Sequence, residues 1–443
     1  MHKTIACLPL AVLGLACAGE LPVRPSVPQR PAFGPAGATA VSCLTQPGPV
    51  VTLAGTQTTQ YWDVSLADNT RIDATAAQWF TPQAENQPTN FGGGLNLCWS
   101  GGEVLGQFAP STPWNTMHDK YGQVAQPNAG GAHIENLRVF DYGDGISHDR
   151  SGPNWTVRGV YVKYSRDDCI ENDFYHSGTV EDVFLDGCYS AFSMRQYIAL
   201  GDSSANHLVV RNSLIRLQAY DAAYSGPAPN HNAFWKLHQN APRIELYDNI
   251  FRADAASYEG QGPGSYMIPP SGAPPWDKLA TCSNNTIVWL GQGSFPEPLP
   301  ACFTVTTDKT VWDNAVAAWN AAHAPSMSDI APPIVSMFQP GIVGDAILTG
   351  TDSLIATATD DRDVVGVQFQ LDDSPIGAEQ TAPIAYTPSG PNSPYTRDLT
   401  SKYLLLVNTT GISNGAHTVS AIARDAAGHA TTSATVNVTV SNP

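Results

Sequence analysis

Apolar and polar positions repeat along the middle of the chain at a fixed interval. Segments starting at Ile134, Val157 and Val180 read IENLRVFDYGDGISHD, VRGVYVKYSRDDCIEN and VEDVFLDGCYSAFSMR. Both steps (157 − 134 and 180 − 157) equal 23 residues. Apolar side chains fall in register at Ile134/Val157/Val180, Leu137/Val160/Val183, Val139/Val162/Leu185 and Ile146/Cys169/Phe192. Short strands recurring every ~20–25 residues predict a parallel solenoid in which each repeat is one coil. Side chains one interval apart then lie about 4.8 Å from each other.

Less regular coils flank these three. VVTLAGT and CWSGGEVLGQF precede them; HLVVRNSLIRLQ, PRIELYDNIFRAD and ATCSNNTIVWLG follow. The later ones carry Asn212, Asn249 and Asn284 or Asn285 near the bend, where a buried Asn can bond the turn backbone. The connections 218–241 and 253–280 are long and rich in Pro, Gly and aromatic residues, and such loops on a rigid stack are where binding surfaces are built. KTVWDNAVAAWNAAHA at 309–324 predicts a helix that caps or flanks the last coil.

The pattern changes at Pro332-Pro333. Beyond it VGVQFQLD and TVSAIARD alternate strictly, as half-buried strands of a sandwich do. The segments LIATATDDRDVVGVQFQLDDSPIGAEQTAPIAYT and NGAHTVSAIARDAAGHATTSATVNVTV resemble bacterial immunoglobulin-like modules of secreted carbohydrate-active and surface proteins. The resemblance implies a noncatalytic β-sandwich over 331–443, behind a solenoid at 46–330. Asp360, Asp361 and Asp425 present either calcium ligands or turn-forming side chains.

Composition fits this all-β picture. Charged residues make up 14% of the chain, with 38 Gly and 35 Pro, as in turn-rich secreted proteins. The net charge of −17 argues against a nucleic-acid partner. Residues 1–18 form a signal peptide: His2 and Lys3, then an apolar core from Ile5 to Leu15. Ala16-Cys17-Ala18 suits cleavage to a free product, whereas Leu15-Ala16-Cys17 resembles a lipoprotein signal that would anchor Cys17 to a membrane. Both readings predict an extracytoplasmic protein. Residues 19–45 form a Pro-rich linker. Export permits disulfides, and the simplest of 15 pairings is sequential: Cys43–Cys98, Cys169–Cys188 and Cys282–Cys302. The inward register of Cys169 also suits a buried thiol. No spacing suggests zinc.

Overlaying the regular coils gathers acids on one edge. Asp144 stacks on Asp167, Gly145 on Asp168, His148 on Glu171, and Asp149 on Asn172 and Arg195. Asp173 lies just beyond. Carboxylates this close demand a cation, a proton or an arginine, and flexible oxygen clusters suit calcium. The coils and the run Asp167-Asp168-Cys169-Ile170-Glu171 resemble the pectate-lyase-like right-handed parallel β-helix superfamily. That resemblance implies a polysaccharide lyase with calcium on the acids, or a glycoside hydrolase with paired Asp as acid and base. The hydrolase triplets NTD, GHG and RIK are absent from the sequence.

A second constellation, HNAFWKLHQN at 231–240, places Lys236 and His238 two apart, on one face of a strand. A lyase must neutralise a uronate carboxylate and remove the neighbouring proton. The assembled expectation is calcium on Asp144, Asp167, Asp168 and Glu171, Lys236 or His238 as base, and Arg195 as helper. Trp235, His148, Asp149 and Tyr189 would contact the sugar. His118 and Asp119 reach the same cleft or sit on a surface loop. Trp155, Tyr164 and Tyr175 line a glycan groove or fill coil corners. The lead expectation is therefore calcium-assisted β-elimination on an acidic polysaccharide. The alternatives are a glycoside hydrolase and a glycan-binding solenoid without turnover.

Overall fold

The computed structural model describes residues 41–80, 86–148, 152–195, 200–224, 229–256, 265–266, 277–296, 298–338, 346–384 and 401–443. The expected signal peptide, Cys17, most of the expected linker and Asp149 lie outside them.

Short strands stack into three ladders of parallel pairs. The first runs from Val50–Gln57 through Arg71–Trp79, Cys98–Ser100, His133–Glu135, Trp155–Arg158, Gly178–Glu181, His207–Arg211 and Arg243–Tyr247 to Leu279–Ser283. The second runs from Glu103–Leu105 and Arg138–Tyr142 through the long strands Tyr161–Glu171 and Phe184–Met194. It continues to Leu214–Leu217, Ile250–Ala253, Asn285–Trp289 and Phe303–Thr306. The third joins Tyr61–Leu66, Thr89–Gly93, Tyr121–Pro127 and Asp144–His148 to the far halves of the two long strands and then to Trp235–Leu237. Every apolar position of the first three register sets is buried between the ladders.

Corners between the first and second ladders need left-handed backbone. Asn136, Gly159, Asp182, Asn212, Asp248 and Asn284 supply it, with φ between 49° and 60°. Asn, Asp and Gly tolerate that region best. Behind the last corners, buried Asn249 and Asn285 form a polar stack. Asn249 Nδ2 donates to Asn285 Oδ1 (3.0 Å) and to the Val210 carbonyl (2.8 Å), and Asn285 Nδ2 donates to the Leu246 carbonyl (3.0 Å). Asn249 and Asn285 are thus the expected backbone-bonding asparagines, whereas Asn212 is exposed and buried Ser213 takes the stacked position in its coil, its N–H donating to Asn249 Oδ1 at 3.1 Å.

Among the described residues three disulfides join Cys43 to Cys98, Cys169 to Cys188 and Cys282 to Cys302, the sequential pairing. Such bonds persist in an oxidising compartment. No described helix is long and apolar enough to cross a membrane.

The helix Lys309–Ala322 is capped by Asp308, which accepts from the Thr310 N–H at 2.9 Å. It flanks the second ladder. Trp312, Ala315 and Trp319 pack on Tyr161, Phe184, Leu214 and Ile250. Beyond it, a three-stranded antiparallel sheet (Ile334–Phe338, Thr351–Thr359, Lys402–Asn408) faces a second sheet built around Gly415–Asp425 and Val364–Leu371. Leu354, Ala356 and Leu405 from one sheet share a core with Val367, Phe369 and Ala421 from the other. The described residues form one compact unit. Ala331 and Ile334 pack on Leu105 and Phe140 of the solenoid.

Truncating Trp319 to alanine should remove the main anchor of the flanking helix. The expected loss is about 3–5 kcal/mol, read by denaturant unfolding of the full chain. A loss under about 1 kcal/mol would show that the helix is not part of the cooperative unit.

Candidate active site

The cleft forms where the second ladder turns into the third, and one extra residue creates it. In strand Tyr161–Glu171, Ser165 pairs with Cys188 but Asp168 pairs with Ser190. Residues 166 and 167 therefore oppose a single residue, Tyr189. Such β-bulges re-aim side chains. Adjacent residues on a regular strand point to opposite faces; here Asp167 and Asp168 both line one cleft. Ser165 Oγ ties the bulge, 2.7 Å from the carbonyl oxygens of Gly143 and Asp168. Arg166 turns the other way, donating from Nε to Asp141 Oδ1 at 2.9 Å.

The bulge corrects the register expected from the 23-residue interval. Ile146 pairs with Ile170 rather than Cys169, and Ser147 rather than His148 pairs with Glu171. Asp168 rather than Asp167 stands opposite Ser190, and Glu171 opposite Ser193 rather than Met194. Asp144 still joins the group. Its Oδ1 accepts from the Asp168 N–H at 2.9 Å, and Asp144, Asp167 and Asp168 each place an oxygen within 4.8 Å of the others'.

Lys236 supplies the counter-charge. Its strand Trp235–Leu237 stacks directly on Phe192–Met194, because the long connection that leaves the second ladder after Leu217 returns to the stack at the third. Lys236 is 6% exposed. Its Nζ lies 2.8 Å from Asp167 Oδ1 and 2.7 Å from Asp168 Oδ2. Burial alone would lower its pKa, but the two carboxylates outweigh burial and hold it well above the usual lysine value. Among the acids, burial pushes Asp168 up to about 8 against the pull of Lys236. Asp144 and Glu171 are raised well above the usual range, chiefly by burial and then by neighbouring acids. Asp173 rises to about 6 by burial, opposed by hydrogen bonds from Ser193 Oγ (2.5 Å) and the Arg195 N–H (2.7 Å). Asp168 Oδ1 and Glu171 Oε2 are buried with no hydrogen-bond partner.

The cavity has a volume of about 480 Å³. Asp144, Asp167, Asp168, Glu171, Arg195, Lys236 and Tyr189 all line it, as do His118 and Asp119. Three expected site residues do not. Trp235 is fully buried and stacks on Phe192 with centroids 4.4 Å apart, because it alternates with Lys236 and so faces the core. His148 is likewise in the core, stacked on Trp155 at 3.9 Å. His238 follows the last residue of its strand, where alternation ends, and is absent from the lining. Trp155 and Tyr175 fill the interior rather than a groove.

The sequence reading missed several wall residues. Tyr121 pairs with Asp144 one coil earlier; counting back the same interval (144 − 23 = 121) would have found it. Trp114 and Tyr224 meet with ring centroids 4.5 Å apart and form an aromatic wall. Tyr224 lies on the long connection, where no period guides the eye. Asn232 also lines the cleft, and its Nδ2 donates to Ser190 Oγ at 3.1 Å.

The clustered oxygens match the span of a calcium site. However, the Lys236 ammonium already sits against two of the three acids, in the place a metal would take. The residues present therefore fit an internal lysine counter-ion better than calcium.

No family model matches the chain, and no curated protein matches it. Among solved structures it is similar to the fibronectin(III)-like modules of Clostridium thermocellum CbhA. That match has 22% identity over 26% of this chain and 48% of the other, with a TM-score of 0.18. It is also similar to an endo-beta-1,4-mannanase from Thermotoga petrophila, at 11% identity over 46% of this chain and 40% of that one, with a TM-score of 0.19. The chain spans less than half the length of either neighbour, and likenesses this distant carry no argument about its chemistry.

Replacing Lys236 with methionine should strip two buried acids of their counter-ion. The expected cost is about 3–5 kcal/mol near neutral pH. It should shrink as pH falls, because protonated acids need no counter-ion. Denaturant unfolding at pH 5 and pH 8 checks this; an equal loss at both would mean that packing, not charge, is what Lys236 supplies.

Proposed function

We propose that this cleft hydrolyses glycosidic bonds in a neutral polysaccharide. One observation carries the proposal: Asp167 and Asp168 lie side by side on one lysine, with Asp168 raised to about 8 and so protonated near neutrality. A carboxylic acid beside a charge-paired carboxylate is the equipment of acid–base glycoside cleavage. Asp168 gives its proton to the glycosidic oxygen as the bond from that oxygen to the anomeric carbon breaks. Asp167 attacks the same carbon in that step and forms a glycosyl ester, because the two acids place oxygens within 4.8 Å of each other, the close spacing of a retaining pair. Water, giving its proton to Asp168, then attacks that carbon and releases Asp167. One water is consumed and two hydroxyl ends appear.

The lining supports a neutral sugar. Lys236 is already paired with Asp167 and Asp168, so the lining offers no excess of positive charge to a uronate carboxylate. Trp114 and Tyr224 offer apolar faces for sugar rings. The unpartnered oxygens of Asp168 and Glu171 are free to accept sugar hydroxyls.

Calcium-assisted β-elimination remains the second reading, favoured by the three acid oxygens within 4.8 Å of one another. It requires a base, and Lys236 is held protonated by its two partners. It also requires a metal to displace that ammonium.

Assays on neutral and uronate polymers separate these. The expected result is new reducing ends from a neutral polysaccharide and no unsaturated-uronate absorbance. The rate should fall as pH rises through about 8, where Asp168 loses its proton. Asp168→Asn should slow turnover by about 10²–10⁴-fold with the fold intact by circular dichroism. Absorbance that appears on a uronate polymer and vanishes with chelator would replace hydrolysis with elimination. Binding without either product would leave a glycan-binding solenoid.

A further inference from the structure

A second carboxylate group lies outside the cleft, where the sandwich meets the segment leading into it. Asp360 and Asp361 follow the strand Thr351–Thr359, and Asp329 lies between the flanking helix and the strand Ile334–Phe338. Each places an oxygen within 4.8 Å of the others'. Asp360 is 1% exposed and Asp361 5%. Asp360 Oδ1 and both oxygens of Asp361 are buried with no hydrogen-bond partner.

Turn chemistry accounts for only part of this group. Asp360 Oδ2 accepts from the Arg362 N–H at 2.9 Å, and Asp329 Oδ1 from the Ala331 N–H at 3.2 Å. Asp425, the third acid singled out in the sequence, is fully used. It accepts from the N–H groups of Gly428 (2.7 Å) and His429 (2.8 Å) and pairs with the His429 ring at 2.7 Å. Nearby cations have other partners. Arg362 Nε stands 3.4 Å from Asp361 Oδ2, but Arg362 Nη2 is committed to both oxygens of Glu103, at 2.7 and 2.9 Å. Lys163 donates to the Arg362 carbonyl at 2.7 Å. Buried carboxylate oxygens without donors are unfavourable unless a cation sits among them.

We infer that Asp329, Asp360 and Asp361 bind a calcium ion that fixes the sandwich against the solenoid. Calcium takes oxygen ligands at about 2.3–2.6 Å, so ligands around one ion lie up to roughly 5 Å apart. The observed span fits, and hard carboxylate oxygens suit calcium rather than zinc. Burial pushes Asp360 up to about 6 against the pull of Lys163, and burial with repulsion from Asp360 pushes Asp361 up to about 7. The ion would join the entry segment to a corner whose next residue, Arg362, clasps Glu103 on the solenoid. The inference does not depend on what the cleft does.

The test uses the full chain, stripped with chelator and titrated with calcium chloride by calorimetry and thermal unfolding. Binding at one class of site and a melting rise of several degrees are expected. Asp361→Asn and Asp329→Asn should abolish both responses. In chelator, Asp361→Asn should melt at or above the wild-type temperature, because one repelling charge is gone; this also shows that the variant folds. Asp144→Asn, in the cleft, should leave the calcium response intact. No calcium binding at millimolar concentration would overturn the inference. So would loss of binding in Asp144→Asn with Asp361→Asn unaffected, or an equal response to magnesium.

Discussion

Lys236 extends its ammonium group past Ser193 on the preceding coil to Asp167 and Asp168 two coils back, and the cleft depends on that reach. In a low-dielectric setting two adjacent carboxylates cannot both hold charge without a partner. The ammonium at 2.7 and 2.8 Å supplies the partner for one full charge and leaves the second acid to keep its proton. That split makes the pair chemically unequal although the two residues are neighbours of the same type. It needs two backbone accidents at once. The bulge turns both acids to one side, and the connection after Leu217 leaves the ladder so that Lys236 stacks directly on Ser193.

The sandwich takes part in the same architecture. Lys402 Nζ pairs with Asp221 Oδ1 at 2.6 Å, and Thr357 Oγ1 donates to Asp221 Oδ2 at 2.9 Å. Asp221 lies three residues before Tyr224, which forms the cleft wall with Trp114. These contacts brace the long connection from outside, and the Arg362–Glu103 pair at 2.7 Å ties the sandwich to the strand Glu103–Leu105. A domain expected to be noncatalytic thus buttresses a wall of the cleft. Loops far from any ladder gain order only from such side contacts.

The coil repeat was legible because valine and isoleucine recur wherever a ladder faces the core, and the ladders observed use those positions. The bulge was not. Cys169 and Ile170 are both apolar, so either could continue the row from Ile146, and the backbone chose Ile170. The acidic cluster survived this slip because the run holds two aspartates in succession: moving the register by one exchanges one carboxylate for the other. His148 had no such insurance and went into the core against Trp155. Trp235 was readable in principle. If Lys236 faces the cleft, strand alternation sends its neighbour inward. His238 obeys no alternation because its strand stops at Leu237. The aromatic wall was illegible, since Tyr224 meets Trp114 from a connection held by the sandwich at Asp221 rather than by any period.

A cluster of buried acids works against folding, so its neighbours must hold the strands that carry it. Cys169 directly follows Asp168, and its disulfide partner Cys188 directly precedes Tyr189. The bond closes a loop with a sequence separation of 19, for which chain entropy gives about 3 kcal/mol. It lies on the core side of the two strands whose cleft side carries the acids. The bulge is therefore clamped covalently from behind, tied by Ser165 Oγ along its backbone, and neutralised by Lys236 in front. Each of these holds the same few residues of Tyr161–Glu171, which places the tightest local restraint where charge repulsion is greatest.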